Sequence, residues 1–155
     1  MAPVRVLSRP VARVAGIARV SSRPDGVRNM HILIVDDEPN MLRTLADIFR
    51  DEGFDVSTAK SGERAVEMCA TSAYDVVLLD VRMPGIDGLE AFRRIRRSKS
   101  IPVVMMSAYS VEHLRQDALN EGVIAFVQKP LDAAKVLWMM RSLADRARAG
   151  NPPEA

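Results

Sequence analysis

Five short hydrophobic runs recur along the chain: His31 to Val35, Phe54 to Thr58, Asp75 to Leu79, Ile101 to Met106 and Val123 to Val127. The first, third and fourth are continuously apolar rather than alternating, as strands must be when both faces of their sheet are covered. Between the runs the pattern turns helical. Pro39 suits a first helical position, and Met41, Leu42, Leu45, Ile48 and Phe49 form one stripe that stops at Gly53. Ser61 suits the cap of a second helix. Asp87 with Glu90 resembles a capping box opening a third, whose apolar positions are Leu89, Phe92 and Ile95. Ser110 can cap a fourth helix ending near Gly122, and Asp132 a fifth. Five β–α repeats with short connections predict a parallel, doubly wound sheet, because each right-handed crossover lays its helix on one side or the other.

That unit occupies residues 30–147 and leaves room for no second domain in 155 residues. Residues 1–29 hold six arginines against one acid, Asp25, for a net charge of +5, while the rest carries 16 basic and 19 acidic residues, a net −3. Basicity therefore belongs to this N-terminal extension, which reads as disordered, and not to a nucleic-acid-binding face of the body. Residues 148–155 form a short tail, and the segment beyond the fifth helix is too short for a DNA-binding or enzymatic output domain. No apolar run approaches the roughly 20 residues of a membrane span. The single cysteine, Cys69, can make neither an internal disulfide nor a Cys-rich metal cage, which suits a reducing, cytoplasmic setting.

In open parallel sheets the functional crevice lies beyond the carboxyl ends of the strands. Asp36, Asp37 and Glu38 follow the first run, Asp80 directly follows the third, Ser107 the fourth, and Lys129 with Pro130 lies just past the fifth. Carboxylates crowded together raise one another's pKa unless a cation holds them ionised. Oxygen-only donors with no His or Cys nearby imply a hard divalent ion, Mg2+, with Mn2+ as a substitute. A carboxylate nucleophile, such an ion and a lysine are the parts needed to accept a phosphoryl group.

The segments Asp36-Asp37-Glu38-Pro39, Asp80-Val81-Arg82-Met83-Pro84-Gly85-Ile86-Asp87-Gly88, Ser107-Ala108 and Lys129-Pro130 resemble, in order and spacing, the motifs of response regulator receiver domains of two-component signalling. The resemblance implies a flavodoxin-like sheet of strand order 2-1-3-4-5. It also implies Asp80 as the phosphorylated residue, Asp37 as a direct Mg2+ ligand, Asp36 as one acting largely through water, and the backbone carbonyl of Arg82 as a further contact. Lys129 matches the phosphate-binding lysine, with a cis bond to Pro130, and Ser107 the switch hydroxyl. Phe126 takes the place of the switch aromatic, where many relatives carry Tyr, so the switch would work by packing alone. Tyr109 and Arg82 sit where side chains tune the phosphoryl lifetime. The implied partners are a sensor histidine kinase or phosphotransfer protein and a downstream protein, with a homodimer through the fourth helix, fifth strand and fifth helix as one form of output.

Rival readings are weaker. A haloacid-dehalogenase-like phosphatase needs an acid two residues after its nucleophile, where this chain has Arg82. A flavodoxin-like cofactor carrier would not place Asp36-Asp37-Glu38 against a phosphate. A degenerate receiver acting as a binding module is opposed by the complete set of acids, hydroxyl and lysine. His31 and His113 have no second ligand nearby and read as structural. Arg93, Arg94, Arg96 and Arg97 read as a solvated face, Met105, Met106, Met139 and Met140 as core filling, and Cys69 as a buried apolar residue. In the fifth helix Val136, Leu137, Met140, Leu143, Ala144 and Ala147 make the inward face, which leaves Trp138 outward as a candidate interface anchor.

Overall fold

The computed structural model describes residues 29–108, 112–148 and 150. The described residues alternate strand and helix: β1 His31–Val35, α1 Pro39–Asp51, β2 Asp55–Ala59, α2 Gly62–Thr71, β3 Val76–Asp80, α3 Gly88–Ser98, β4 Val103–Ser107, α4 Glu112–Glu121, β5 Ala125–Gln128 and α5 Ala133–Arg148. All strands pair in parallel in the order β2-β1-β3-β4-β5, as expected. The readings of residues 1–28, of Tyr109, of Ser110 as a cap and of the 151–155 tail fall outside the described residues.

Two strand ends differ from the sequence reading in a way that matters for the site. Asp80 and Ser107 are the last residues of β3 and β4 rather than the first beyond them, pairing in register with Met106 and Gln128. A ladder is a backbone structure, so it runs on past the point where side chains stop being apolar. At the other ends, Phe54, Ile101 and Val123 lend apolar surface to the core although they precede their strands.

The continuous apolar runs are explained by two cores, one on each side of the sheet. Leu33, Val35, Val77, Leu79, Val103 and Met105 pack with Ala65 and Cys69 of α2, with Phe92 and Ile95 of α3, and with Ala118 of α4. Their sequence neighbours Ile32, Ile34, Val76, Leu78, Val104 and Met106 pack with Leu42, Leu45 and Phe49 of α1 and with Val136 and Met140 of α5. Alternate side chains point to opposite faces, so a strand covered on both must be apolar at every position.

The helix starts follow the sequence signals. The Ser61 hydroxyl accepts from the Arg64 N–H at 3.1 Å, the Asp87 carboxylate from the Glu90 N–H at 2.8 Å, and the Asp132 carboxylate from the Lys135 N–H at 3.2 Å. Glu90 does not complete a capping box, because its carboxylate accepts from Arg94 Nε at 2.8 Å. The arginines of α3 are more engaged than a solvated face: Arg93 grips the Glu121 carboxylate with two bonds, of 2.8 and 2.6 Å, and Arg96 donates to the Glu121 carbonyl at the end of α4.

Cys69 is fully buried in α2, and that burial pushes its thiol up to about 11. Thiolates, not thiols, react with alkylating agents. The folded protein should therefore resist iodoacetamide at pH 8 and take up one equivalent once urea unfolds it; prompt labelling of the native protein would contradict this placement.

Candidate functional site

The carboxyl edge of the sheet gathers the predicted residues. Asp36 directly follows β1, its N–H donating to the Ala59 carbonyl at 3.2 Å and its side chain 0% exposed. One carboxylate oxygen accepts from the Glu38 N–H at 3.0 Å, and the other from Lys129 Nζ at 2.7 Å. Asp80, 5% exposed at the end of β3, accepts from the same ammonium at 3.3 Å and from the backbone N–H of Arg82. Lys129 is itself anchored by its backbone, whose N–H donates to the Ser107 carbonyl at 2.7 Å, and its bond to Pro130 is cis as expected. Asp37 is exposed at the rim, yet carboxylate oxygens of Asp36, Asp37 and Asp80 all lie within 4.8 Å of one another.

Among the described residues the electrostatics of this cluster are unbalanced, with the Lys129 ammonium set against three carboxylates. Burial raises the pKa of Asp80, the Asp36 charge raises it further, and Lys129 with the Arg82 N–H offsets only part of this. Burial works against the Lys129 charge, but the hydrogen bond to Asp36 and the charges of Asp80 and Asp36 outweigh it and hold the ammonium above the ordinary lysine value. A hard cation among the three carboxylates would supply the missing charge.

The remaining predicted residues are distributed around this centre. Ser107 is buried at the end of β4. Phe126 is half-buried on β5, in register with Met105 and packed against the core shared with α3 and α4. Arg82 is exposed on the loop after β3, and Trp138 stands 70% exposed on α5. Tyr109 lies outside the described residues. His31 is at the far end of the sheet, hydrogen-bonded to Ser57 at 2.8 Å with its ring against Tyr74, and His113 is exposed on α4, so neither belongs to the cluster.

Two contributors have no role assigned in the sequence reading, although one of them, Gly88, closes the quoted Asp80 to Gly88 motif. Gly88 opens α3 directly beneath Asp80, where a Cβ would lie 2.3 Å from the Asp80 carbonyl oxygen and 2.8 Å from Val81 Cα. Both obstacles are backbone and cannot swing aside. Gly88→Ala should destabilise the fold by about 2–3 kcal/mol in urea unfolding; a wild-type midpoint would refute this fit. Glu63, on α2, holds the loop after β3 through the Ile86 N–H at 2.9 Å. Its partner is a backbone amide 23 residues away, which leaves no mark in the side-chain pattern.

An acid cluster, buried at Asp36 and Asp80 and open at Asp37, with its lysine at the carboxyl edge of a five-stranded parallel sheet, is the arrangement expected of a receiver domain. Residues 32–141 match the response regulator receiver domain family, and the chain belongs to it. It is 37% identical over 139 residues to the transcriptional regulatory protein TcrA of Mycobacterium tuberculosis, covering 89% of this chain and 54% of that one. The chain spans about half the length of the first curated relatives it matches. Among solved structures, a CheY-like receiver domain protein of Methanospirillum hungatei superposes with a TM-score of 0.74 over 78% of this chain and 98% of its own, at 22% identity, a likeness of fold alone. The response regulator TrrA of Thermotoga maritima, solved in complex with Mg2+ and BeF, is 35% identical with a TM-score of 0.67, covering 74% of this chain and 98% of that one. No helix among the described residues is long and apolar enough to cross a membrane.

Proposed function

We propose that residues 30–147 form a phosphoacceptor receiver working in the cytoplasm, in which Asp80 takes a phosphoryl group from a sensor histidine kinase or phosphotransfer protein. The observation that carries this reading is the single Lys129 ammonium bridging Asp36 and Asp80, with Asp37 close enough to complete a three-carboxylate cluster. In the transfer, an Asp80 oxygen attacks phosphorus in line, the P–N bond of the donor phosphohistidine breaks, and the imidazole nitrogen keeps the electron pair. Lys129 supplies positive charge to the phosphoryl oxygens, and the Arg82 N–H steadies the attacking carboxylate. The oxygen-only donor set fits Mg2+, or Mn2+ in its place. Asp37, Asp80, Asp36 largely through water, and the Arg82 carbonyl would hold the ion, whose charge offsets that of the carboxylates and the incoming group. That TrrA, 35% identical to this chain, was crystallised in complex with Mg2+ and BeF supports the choice of Mg2+. The domain modifies itself and turns over no separate substrate.

In this reading the Ser107 hydroxyl follows the new phosphoryl group, with Phe126 repacking behind it and Tyr109 and Arg82 tuning its lifetime. The output is a protein contact through α4, β5 and α5, anchored by Trp138. Trp138→Asp should abolish dimer or effector binding of the phosphorylated protein in sedimentation velocity and pull-down titration; unchanged association would remove Trp138 from this role. The central test is intact mass after incubation with acetyl phosphate. One phosphoryl group should be gained with Mg2+ and none with a chelator. No gain, even from a phosphohistidine donor, would instead favour a binding module that works without phosphorylation.

A further inference from the structure

The loop from Val81 to Asp87 links the phosphoacceptor strand to α3 and carries the Arg82 N–H, which together with the Lys129 ammonium at 3.3 Å faces the Asp80 carboxylate. Asp80 sits at the end of a strand and is fixed by the ladder. Past the Val81 N–H, which still donates to the Met106 carbonyl at 2.9 Å, the loop leaves the ladder, so something else must hold its middle in one shape. Its far end is closed by the Gly88 N–H on the Val81 carbonyl at 2.8 Å and by the Asp87 cap of α3. Its middle is held from a different element. Glu63, in the first turn of α2, accepts from the Ile86 N–H at 2.9 Å, and the same carboxylate lies over Gly85, where a Cβ would come within 2.4 Å of Oε1. Gly85 has φ +81, so the turn that offers its bare face to Glu63 is also one that a side chain resists. The neighbouring Gly62 lets the start of α2 close on Ile86, with 2.7 Å between its would-be Cβ and the Ile86 side chain. The Ile86 amide first, then Glu63's own N–H, with Arg94 nearby, favour the ionised carboxylate. An ionised acceptor makes the stronger bond.

We propose that Glu63 is a positioning residue for the phosphoacceptor: it latches α2 to the middle of the loop and thereby fixes the Arg82 amide against Asp80 and the spacing of the carboxylate cluster. The inference rests on the reading of that cluster as a metal and phosphoryl site. Groups that orient metal-binding residues from outside the coordination sphere commonly change affinity when removed. Glu63 is exposed and contributes nothing to either core, so its truncation should spare the fold while loosening the site.

The test uses Mn2+ alone, with the free ion counted by electron paramagnetic resonance, together with hydrogen exchange at the Ile86 amide. Glu63→Ala should bind Mn2+ roughly tenfold more weakly than wild type and exchange Ile86 faster, at an unchanged urea midpoint. Glu63→Gln keeps an oxygen acceptor for the Ile86 N–H, a weaker one than the carboxylate, and should restore the larger part of both readouts. Asp37→Asn separates the two levels of inference. If wild type binds Mn2+ and Asp37→Asn weakens it while Glu63→Ala does not, the latch is overturned and the site stands. If wild type binds no Mn2+, the site reading falls and the latch with it. Equal weakening by Ala and Gln would also overturn the latch, because charge rather than the hydrogen bond would then be responsible.

Discussion

Asp80→Asn should end phosphoryl uptake completely and yet make the metal-free protein more stable. The loss follows from the chemistry, since an amide oxygen is too poor a nucleophile to form the acyl phosphate. The gain follows from the site. Asp80 is buried beside Asp36, and both effects push its folded-state pKa above that of an aspartate in an unfolded chain, which is about 3.9. Between those two pKa values the native state binds more protons than the unfolded state, so this residue's contribution to stability falls as pH rises through that window. Above the window the full cost of the buried charge is present, and asparagine does not carry it. Urea unfolding in a chelator should show Asp80→Asn more stable by about 1 kcal/mol at neutral pH, the scale typical of relieving strain built into a functional site. The advantage should vanish in acid and shrink when Mg2+ is added. A variant less stable than wild type at neutral pH, or a difference that ignores pH, would sink the account.

Lys129→Met should act in the opposite direction. It removes the ammonium that, among the described residues, is bonded to both Asp36 and Asp80, whose side chains are 0% and 8% exposed, and leaves two buried carboxylates facing each other. Removing one partner from a buried ion pair commonly costs about 3–5 kcal/mol; with Asp37 open to solvent at the rim, we expect about 3 kcal/mol in metal-free buffer. Binding of Mg2+ should return part of it, since a ligand that binds only the native state stabilises it by mass action. Phosphoryl uptake should also fall far below wild type, because the ammonium is no longer there to meet the phosphoryl oxygens. The informative variant is the double one. With Asp80 also changed to Asn, one of the opposed charges is gone, so Lys129→Met/Asp80→Asn should lose clearly less than Lys129→Met alone. The residues are in contact, so the cycle should show coupling on the order of 1–3 kcal/mol. Additive effects would mean that the 2.7 and 3.3 Å contacts of Lys129 do not hold the cluster together.

How far the sequence could be read varied with the physics of each element. β1, β3 and β4 were plain because burial on both faces demands apolar residues at every position, and Asp36, Asp80 and Lys129 were plain because polar groups at the ends of such strands converge on one edge. The exact strand ends were not, since Asp80 and Ser107 pair through backbone groups that any residue carries. The order of the strands came from the motif resemblance, as periodicity says nothing about which strands are neighbours. Of α4, only Ala118 is buried, with Leu114 packed beside it, so its stripe is thin in the sequence. The grip of Arg93 and Arg96 on Glu121 joins α3 to α4 across 25 to 28 residues and looks, in the sequence alone, like any basic run. Glu63 stayed hidden for the same reason: its partner is a main-chain amide brought close only by the finished fold.

The division of the strand side chains by parity makes the sheet a partition. Leu33 and Ile34 are adjacent in the chain yet sit in separate rooms, one with α2, α3 and α4, the other with α1 and α5. A change of volume in one room meets its own walls first: Leu45 and Met140 pack in one core and Phe126 against the other. The two rooms can therefore accept apolar substitutions separately within a single short chain, while the surface formed by α4, β5 and α5 draws on both.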